Sequence, residues 1–137
     1  MGKVNWGRVV LCGIVAALAW TVLSSLITVF LATDFVAAEP GGRLSAPSGG
    51  LVAFLFMVNL LMGIWAMWLY AAIRPRYGLG SKTAVVAGFS WRVISSLGDA
   101  TWGSFGFVAP KAVLVPMVAS LPAITISTVV GAWLYRE

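Results

Sequence analysis

The chain lacks the residues on which most enzyme active sites and metal centres depend. It has no histidine, a single cysteine and only four acidic residues. Without histidine there is no base for a Ser-His nucleophile and no imidazole ligand for a metal or haem. One cysteine allows no intrachain disulfide and no cysteine-rich zinc or iron–sulfur site. Because a glycine-rich phosphate motif is also missing, we predict a non-enzymatic protein with no cofactor and no metal.

Charge of either sign is scarce as well. Only 9% of the residues are charged and 61% are hydrophobic, whereas soluble domains carry about 25% charged residues. The apolar residues come in runs long enough to span a bilayer core, which takes about 20 residues. Despite the net charge of +5, the basic residues sit at the ends of these runs and form no nucleic-acid patch. We therefore predict an all-α integral membrane protein with one domain, whose partners are lipid and other membrane subunits or itself.

Four transmembrane helices are predicted, at about residues 7–32, 51–73, 82–106 and 112–135, because backbone polar groups inside a bilayer must be satisfied within each segment. The glycine- and proline-rich stretch 33–50 predicts an irregular external loop. The stretch RPRYGLGSK, 74–82, predicts a short turn, with Pro75 ending the second helix near Ile73. Such a short connection makes the second and third helices antiparallel neighbours, so the expected fold is an up-down bundle.

Basic residues predict the orientation of this bundle. With the N-terminus inside, six basic residues are cytoplasmic and two are external, which favours cytoplasmic termini by the positive-inside rule. The internal set is Lys3, Arg8, Arg74, Arg76, Lys82 and Arg136, and the external set is Arg43 and Lys111. An inner aromatic belt would then comprise Trp6, Trp68, Tyr70, Tyr77, Trp133 and Tyr135.

Two short motifs occur twice in the chain. The stretch WTVLSSL, 20–26, returns as WRVISSL, 91–97, at an offset of 71, and WLY, 68–70, returns at 133–135 at an offset of 65. These matches predict two similar helical hairpins, residues 1–73 and 82–137, forming a parallel pseudo-repeat about an axis along the membrane normal. Chance similarity among common membrane residues is the alternative. In the repeat, Arg92 replaces Thr21 and Asp99 replaces Thr28.

A stripe of polar and small residues is predicted on one face of the third helix. It contains Arg92, Ser95, Ser96 and Asp99 at steps of three and four; Thr21 and Thr28 form its counterpart in the first helix, and Asn59 of the second helix is a further candidate. Small and hydroxyl-bearing residues favour close helix contacts, so the stripe should face the bundle. Helical rise places Arg92 near mid-membrane and Asp99 about 10 Å beyond it. At that separation we expect no close ion pair unless Ser95, Ser96 or a water bridges the two.

Three interpretations of Arg92 stay open at this point. In the first it is a packing residue that bonds neighbouring helices. In the second it lines a polar path with Asp99, since ionisable residues inside membranes are functional candidates. Alternatively the third helix ends near Leu97 and Gly98-Asp99 begins an outer loop. The first functional hypothesis is association, as an accessory subunit of a membrane complex or a homo-oligomer. The second is a small oligomeric transporter or channel with a path through Arg92, Asp99 and Asn59.

Two stretches carry a resemblance to known proteins. They are WLYAAIRPRYG, 68–78, continuing through Lys82, Thr83 and Ala84, and the C-terminal GAWLYRE, 131–137. They resemble a group of small four-helix bacterial membrane proteins to which no activity is assigned. The resemblance implies a multi-pass protein of the bacterial cytoplasmic (inner) membrane, and it implies nothing about chemistry.

Overall fold

Four α-helices make up the fold of this protein in a computed structural model that describes residues 4–31, 48–105 and 110–135. They are α1 (Trp6–Phe30), α2 (Gly49–Tyr77), α3 (Ser81–Ser104) and α4 (Pro110–Leu134). The prediction of an all-α chain with four helices is therefore confirmed. Three helices are long and apolar enough to cross a membrane: α1, α2 and the segment Val113–Leu134 of α4. The fourth, α3, is not among them, and it carries Arg92 and Asp99.

The ends of α2 differ from the sequence prediction at both sides. Ser48 is its N-cap, and the Ser48 hydroxyl accepts from the Leu51 N–H at 3.3 Å, so the end of the predicted loop belongs to the helix start. Pro75 does not end the helix near Ile73, because a proline before the last turn is disfavoured rather than forbidden. The helix ends instead at Gly78, whose positive φ of 83° closes it.

The third helix settles one of the open alternatives. It continues through Gly98 and Asp99 to Ser104, so the interpretation in which it ends near Leu97 is wrong. In α4, helical structure runs unbroken through Pro116 and Pro122. The predicted loop residues 33–47 and the predicted span ends Ala32 and Gly106 lie outside the described residues.

The helices pack as two antiparallel hairpins, α1–α2 and α3–α4. Within the first hairpin Gly13 lies against Ile64 and Gly63 lies against Ala17; within the second, Gly88 lies against Thr128. The hairpins meet mainly where α1 packs on α4, and α2 and α3 make a smaller interface. At Gly13 and Gly63 any side chain would overlap the backbone of the facing helix, and at Gly88 it would press against the Thr128 side chain.

Burial is confined to one half of the bundle. Among the described residues, every buried position lies between 9 and 17 in α1, 63 and 71 in α2, 83 and 92 in α3, or 120 and 135 at the end of α4. These segments meet at the end that holds the α2–α3 turn, which we call the closed half. The opposite half, called the open half, contains no buried residue in the part of the chain that the structure describes.

Candidate functional site

Arg92 lies at the boundary between the closed and open halves. It is 8% exposed and is the last buried residue of α3. Its Nη2 donates to the backbone carbonyl of Met117 in α4 at 3.3 Å and also lies 3.0 Å from Asp99 Oδ2. The Met117 carbonyl additionally accepts from the Ser120 hydroxyl. Arg92 therefore joins α3 to α4, while its buried Nε has no hydrogen-bond partner among the described residues.

The direct ion pair corrects the expectation that Arg92 and Asp99 are too far apart. Seven residues of helix rise about 10 Å and return to nearly the same face. The Arg92 side chain extends along α3 and closes this distance without a bridging serine. The two partners are in different surroundings, since the side chain of Arg92 is 10% exposed and that of Asp99 is 47% exposed. The pair thus connects the closed half to the open surface.

The hydroxyl groups of the predicted stripe bond their own helices rather than their neighbours. Ser95 donates to the carbonyl of Trp91 and Ser96 to that of Arg92, at 3.0 and 2.8 Å. In α1, Thr21 donates to Ala17 and Thr28 to Ser24, each at 2.9 Å. Ser95, Ser96 and Thr21 are half-buried, while Thr28 is exposed. Of the predicted stripe, only Arg92 is fully buried inside the bundle.

Asn59 is not brought to the charged pair. Its Oδ1 accepts from the indole Nε1–H of Trp20 at 3.1 Å, which ties α2 to α1 in the first hairpin. Arg92 and Asp99 belong to the second hairpin, where their partner is α4. The three residues of the predicted polar path are thus divided between two hairpins.

Two aromatic features escaped the sequence prediction. Tyr70 and Tyr135, expected in an interfacial belt, are instead 2% and 3% exposed and pack edge to face at 5.8 Å. The Arg74 guanidinium lies 5.3 Å from the centroid of the Tyr135 ring. The repeated WLY motif was the available signal, because both tyrosines come from it. Trp6, Tyr77 and Trp133 are exposed, as a belt requires.

The tryptophan of each WxVxSSL motif has a different environment. Trp20 has Asn59 as its acceptor, whereas the buried Nε1 of Trp91 has no hydrogen-bond partner within the described ranges. Trp91 lies 6.4 Å from Trp65 of α2, ring centroid to centroid. By the offset of 65, the counterpart of Asn59 is Ile124, which offers no acceptor.

The described residues contain no group of three or more acidic, cysteine or histidine side chains able to hold a metal ion. No protein-family model, curated protein or solved structure matches the chain. The resemblance to small bacterial membrane proteins therefore stays a prediction.

Proposed function

We propose that the chain is a non-enzymatic, multi-pass protein of the bacterial cytoplasmic membrane that acts by helix association. It would serve as an accessory subunit of a membrane complex or as a homo-oligomer. Three helices with the length and apolarity of membrane spans support the location. The absence of histidine and the single, buried Cys12 support a role without covalent chemistry.

One observation carries the association proposal: a carboxylate stands half-exposed on a half of the bundle that does not close on itself. Asp99 is 47% exposed there, and the hydroxyls of Ser25, Thr28 and Thr101 are exposed in the same half. Ionisable groups in membranes face protein or water rather than lipid. A helix from another chain that covers this half would remove Asp99 from lipid and bury the hydroxyl-bearing faces.

Gly98 offers a direct test of this surface. A side chain added at Gly98 meets no atom within 4 Å of its Cβ, so Gly98→Trp leaves the single chain intact and obstructs a partner. Val86→Trp, at an exposed position in the closed half, is the matched control. The mass of the purified protein in mild detergent should exceed one chain for the wild type and Val86→Trp, and should fall for Gly98→Trp. A wild type that is monomeric and copurifies with nothing contradicts the proposal.

A duplicated hairpin is the second part of the proposal, and burial supports it independently of the sequence motifs. Adding 71 to four buried residues of α1 (Cys12, Gly13, Ala16, Ala17) gives four buried residues of α3 (Thr83, Ala84, Ala87, Gly88). Adding 65 to Gly63, Ala66, Met67 and Tyr70 of α2 gives Thr128, Gly131, Ala132 and Tyr135 of α4, which are also buried. One close contact corresponds as well, since Ala17 against Gly63 becomes Gly88 against Thr128. The second hairpin departs from the pattern at Arg92 and at Ser120, Ala123, Ile124 and Ser127, which are buried while their counterparts are not, and Val9 is buried whereas its counterpart Gly80 is exposed.

The proposed orientation places both termini in the cytoplasm. Arg8, Arg74, Arg76 and Lys82 lie at the closed end of the bundle, and Lys111 lies at the other end. This distribution supports a cytoplasmic closed half by the positive-inside rule. Lys3, Arg43 and Arg136, which entered the sequence prediction, lie outside the described residues.

A transporter or channel is the alternative, favoured by the Arg92–Asp99 ion pair at the junction of the two halves. Asn59 contributes less than expected, because Trp20 occupies its carbonyl oxygen. Four helices rarely enclose a path, so this function would require an oligomer. Ion and solute flux into liposomes should then differ between the wild type and Arg92→Gln. Equal, background-level flux for both proteins would remove the support for transport.

A further inference from the structure

The interface between α2 and α3 is looser than the interface between α1 and α4, which is the main contact between the hairpins. On the other side α1 packs tightly on α4, where Gly131 lies against the Cys12 carbonyl and Ala16. Between α2 and α3 an open cleft of about 240 Å³ remains. Its lining is apolar and consists of Val58, Leu61, Met62, Trp65 and Trp91. Trp65 is 50% exposed, so the cleft opens onto the outer surface of the bundle.

A cation lies on the same face of α2 as this cleft. Arg76 follows Trp65 by eleven residues, which is about three helical turns, so the two share a face within roughly 20°. The axial distance is about 16 Å, close to half of a bilayer core of about 30 Å. Arg76 is exposed, whereas Lys82, nine residues before Trp91, lies on the opposite face of α3 from the cleft. The one acid in the described ranges, Asp99, is in the open half.

We infer that the groove between α2 and α3 binds one anionic phospholipid. Its phosphate lies at Arg76, and one acyl chain runs along α2 into the cleft against Trp65 and Trp91. The length of one leaflet matches the separation of the cation from the cleft. A membrane-surface cation contributes about a fivefold preference for anionic lipid, which corresponds to roughly 1 kcal/mol. A zwitterionic lipid receives the same acyl contacts without this preference.

Tryptophan quenching by brominated lipid measures both ends of the site. The full chain is placed in phosphatidylcholine vesicles that contain a minor fraction of phosphatidylglycerol. In one sample the phosphatidylglycerol has brominated acyl chains, and in the other an equal fraction of the phosphatidylcholine has them. Brominated phosphatidylglycerol should quench more than an equal fraction of brominated phosphatidylcholine. This excess should be largely lost in Arg76→Gln, because the fivefold preference falls to about one, and it should persist in Lys111→Gln, which removes a charge at the other end.

Two further variants locate the acyl chain. Trp65→Phe removes a reporter inside the cleft and should lose a large part of the excess quenching. Trp133→Phe removes an exposed reporter on α4 and should retain it. Equal quenching by both lipids in the wild type, or an excess unchanged by Arg76→Gln or by Trp65→Phe, overturns the inference. Loss of self-association in Gly98→Trp has no bearing on these outcomes, because that position lies on the open half.

Discussion

Gly63 marks the closest approach of two helices, and replacing it by alanine should destabilise the bundle. A Cβ at this position would lie 2.7 Å from both the Cβ and the backbone N of Ala17, and would meet the Gly13 carbonyl oxygen. Two of these three atoms belong to the backbone of α1, so no rotamer change relieves the overlap. The helices would have to separate at Gly63, where the closed half of α2 begins.

Two opposing effects set the size of this change. Overpacking a tight contact costs about 3 kcal/mol where the neighbours cannot yield, and alanine gains about 1 kcal/mol over glycine in helix propensity. The net expectation for Gly63→Ala is a loss of about 2 kcal/mol. Gly98→Ala is the matched control, because the space around Gly98 is empty to 4 Å. There only the propensity effect remains, and the substitution should stabilise α3 by about 1 kcal/mol.

The opposite sign of the two substitutions is the measurable result. Both variants and the wild type would be unfolded in mild detergent by increasing temperature, with loss of helical circular dichroism as the signal. The midpoint should fall for Gly63→Ala and rise for Gly98→Ala. A midpoint for Gly63→Ala at or above that of the wild type would show that α1 and α2 are not in backbone contact there.

Three further predictions concern the ion pair, the repeat and the orientation. Asp99→Leu should lower the free energy of unfolding by about 2 kcal/mol, which is less than the 3–5 kcal/mol of a fully buried pair because Asp99 is half-exposed. Arg92→Leu should cost less, since the Asp99 carboxylate that it leaves unpaired is already partly solvated. A reversed order of the two variants in denaturation experiments refutes this. Ile124→Asn should give the Trp91 indole N–H the acceptor that Asn59 gives Trp20. A double-mutant cycle with Trp91→Phe should therefore yield a coupling energy of about 1 kcal/mol. Zero coupling contradicts the equivalence of Asn59 and Ile124 in the two hairpins. A periplasm-dependent reporter fused after Glu137 should be inactive, and an active fusion would reverse the proposed topology.

The number and nature of the helices followed from the sequence because long apolar runs admit little else. Helix ends depended on individual side chains, and these were harder to predict. Pro75 was expected to stop α2, but Gly78 does so with a left-handed backbone conformation. Ser48 extends the start of α2 into the predicted loop by capping it. In both cases a capping residue determined where the helix ends, against the expectation from Pro75 at one end and from the glycine- and proline-rich loop composition at the other.

The composition of the polar stripe was predictable, whereas its partners were not. Helical spacing alone placed Arg92 and Asp99 on one face, yet rise per residue suggested a gap that the arginine side chain spans. Asn59 bonds Trp20 because the two lie at the crossing of α1 and α2. The identity of a partner on another helix depends on the crossing points, which a single sequence does not supply.

The difference between the closed and open halves has a cause that is visible in the residues themselves. Close packing in membranes requires small side chains at the contact, and the closed half supplies them at Gly13, Ala16, Gly63 and Ala66. The open half of α2 begins instead with LVAFLFM, 51–57, a mostly bulky stretch whose seven residues are all exposed. The helices that enter this half also carry the serines and threonines of the repeated motif. Without small-residue contacts of this kind the polar faces of the open half stay exposed, and these are the faces that we propose another chain covers.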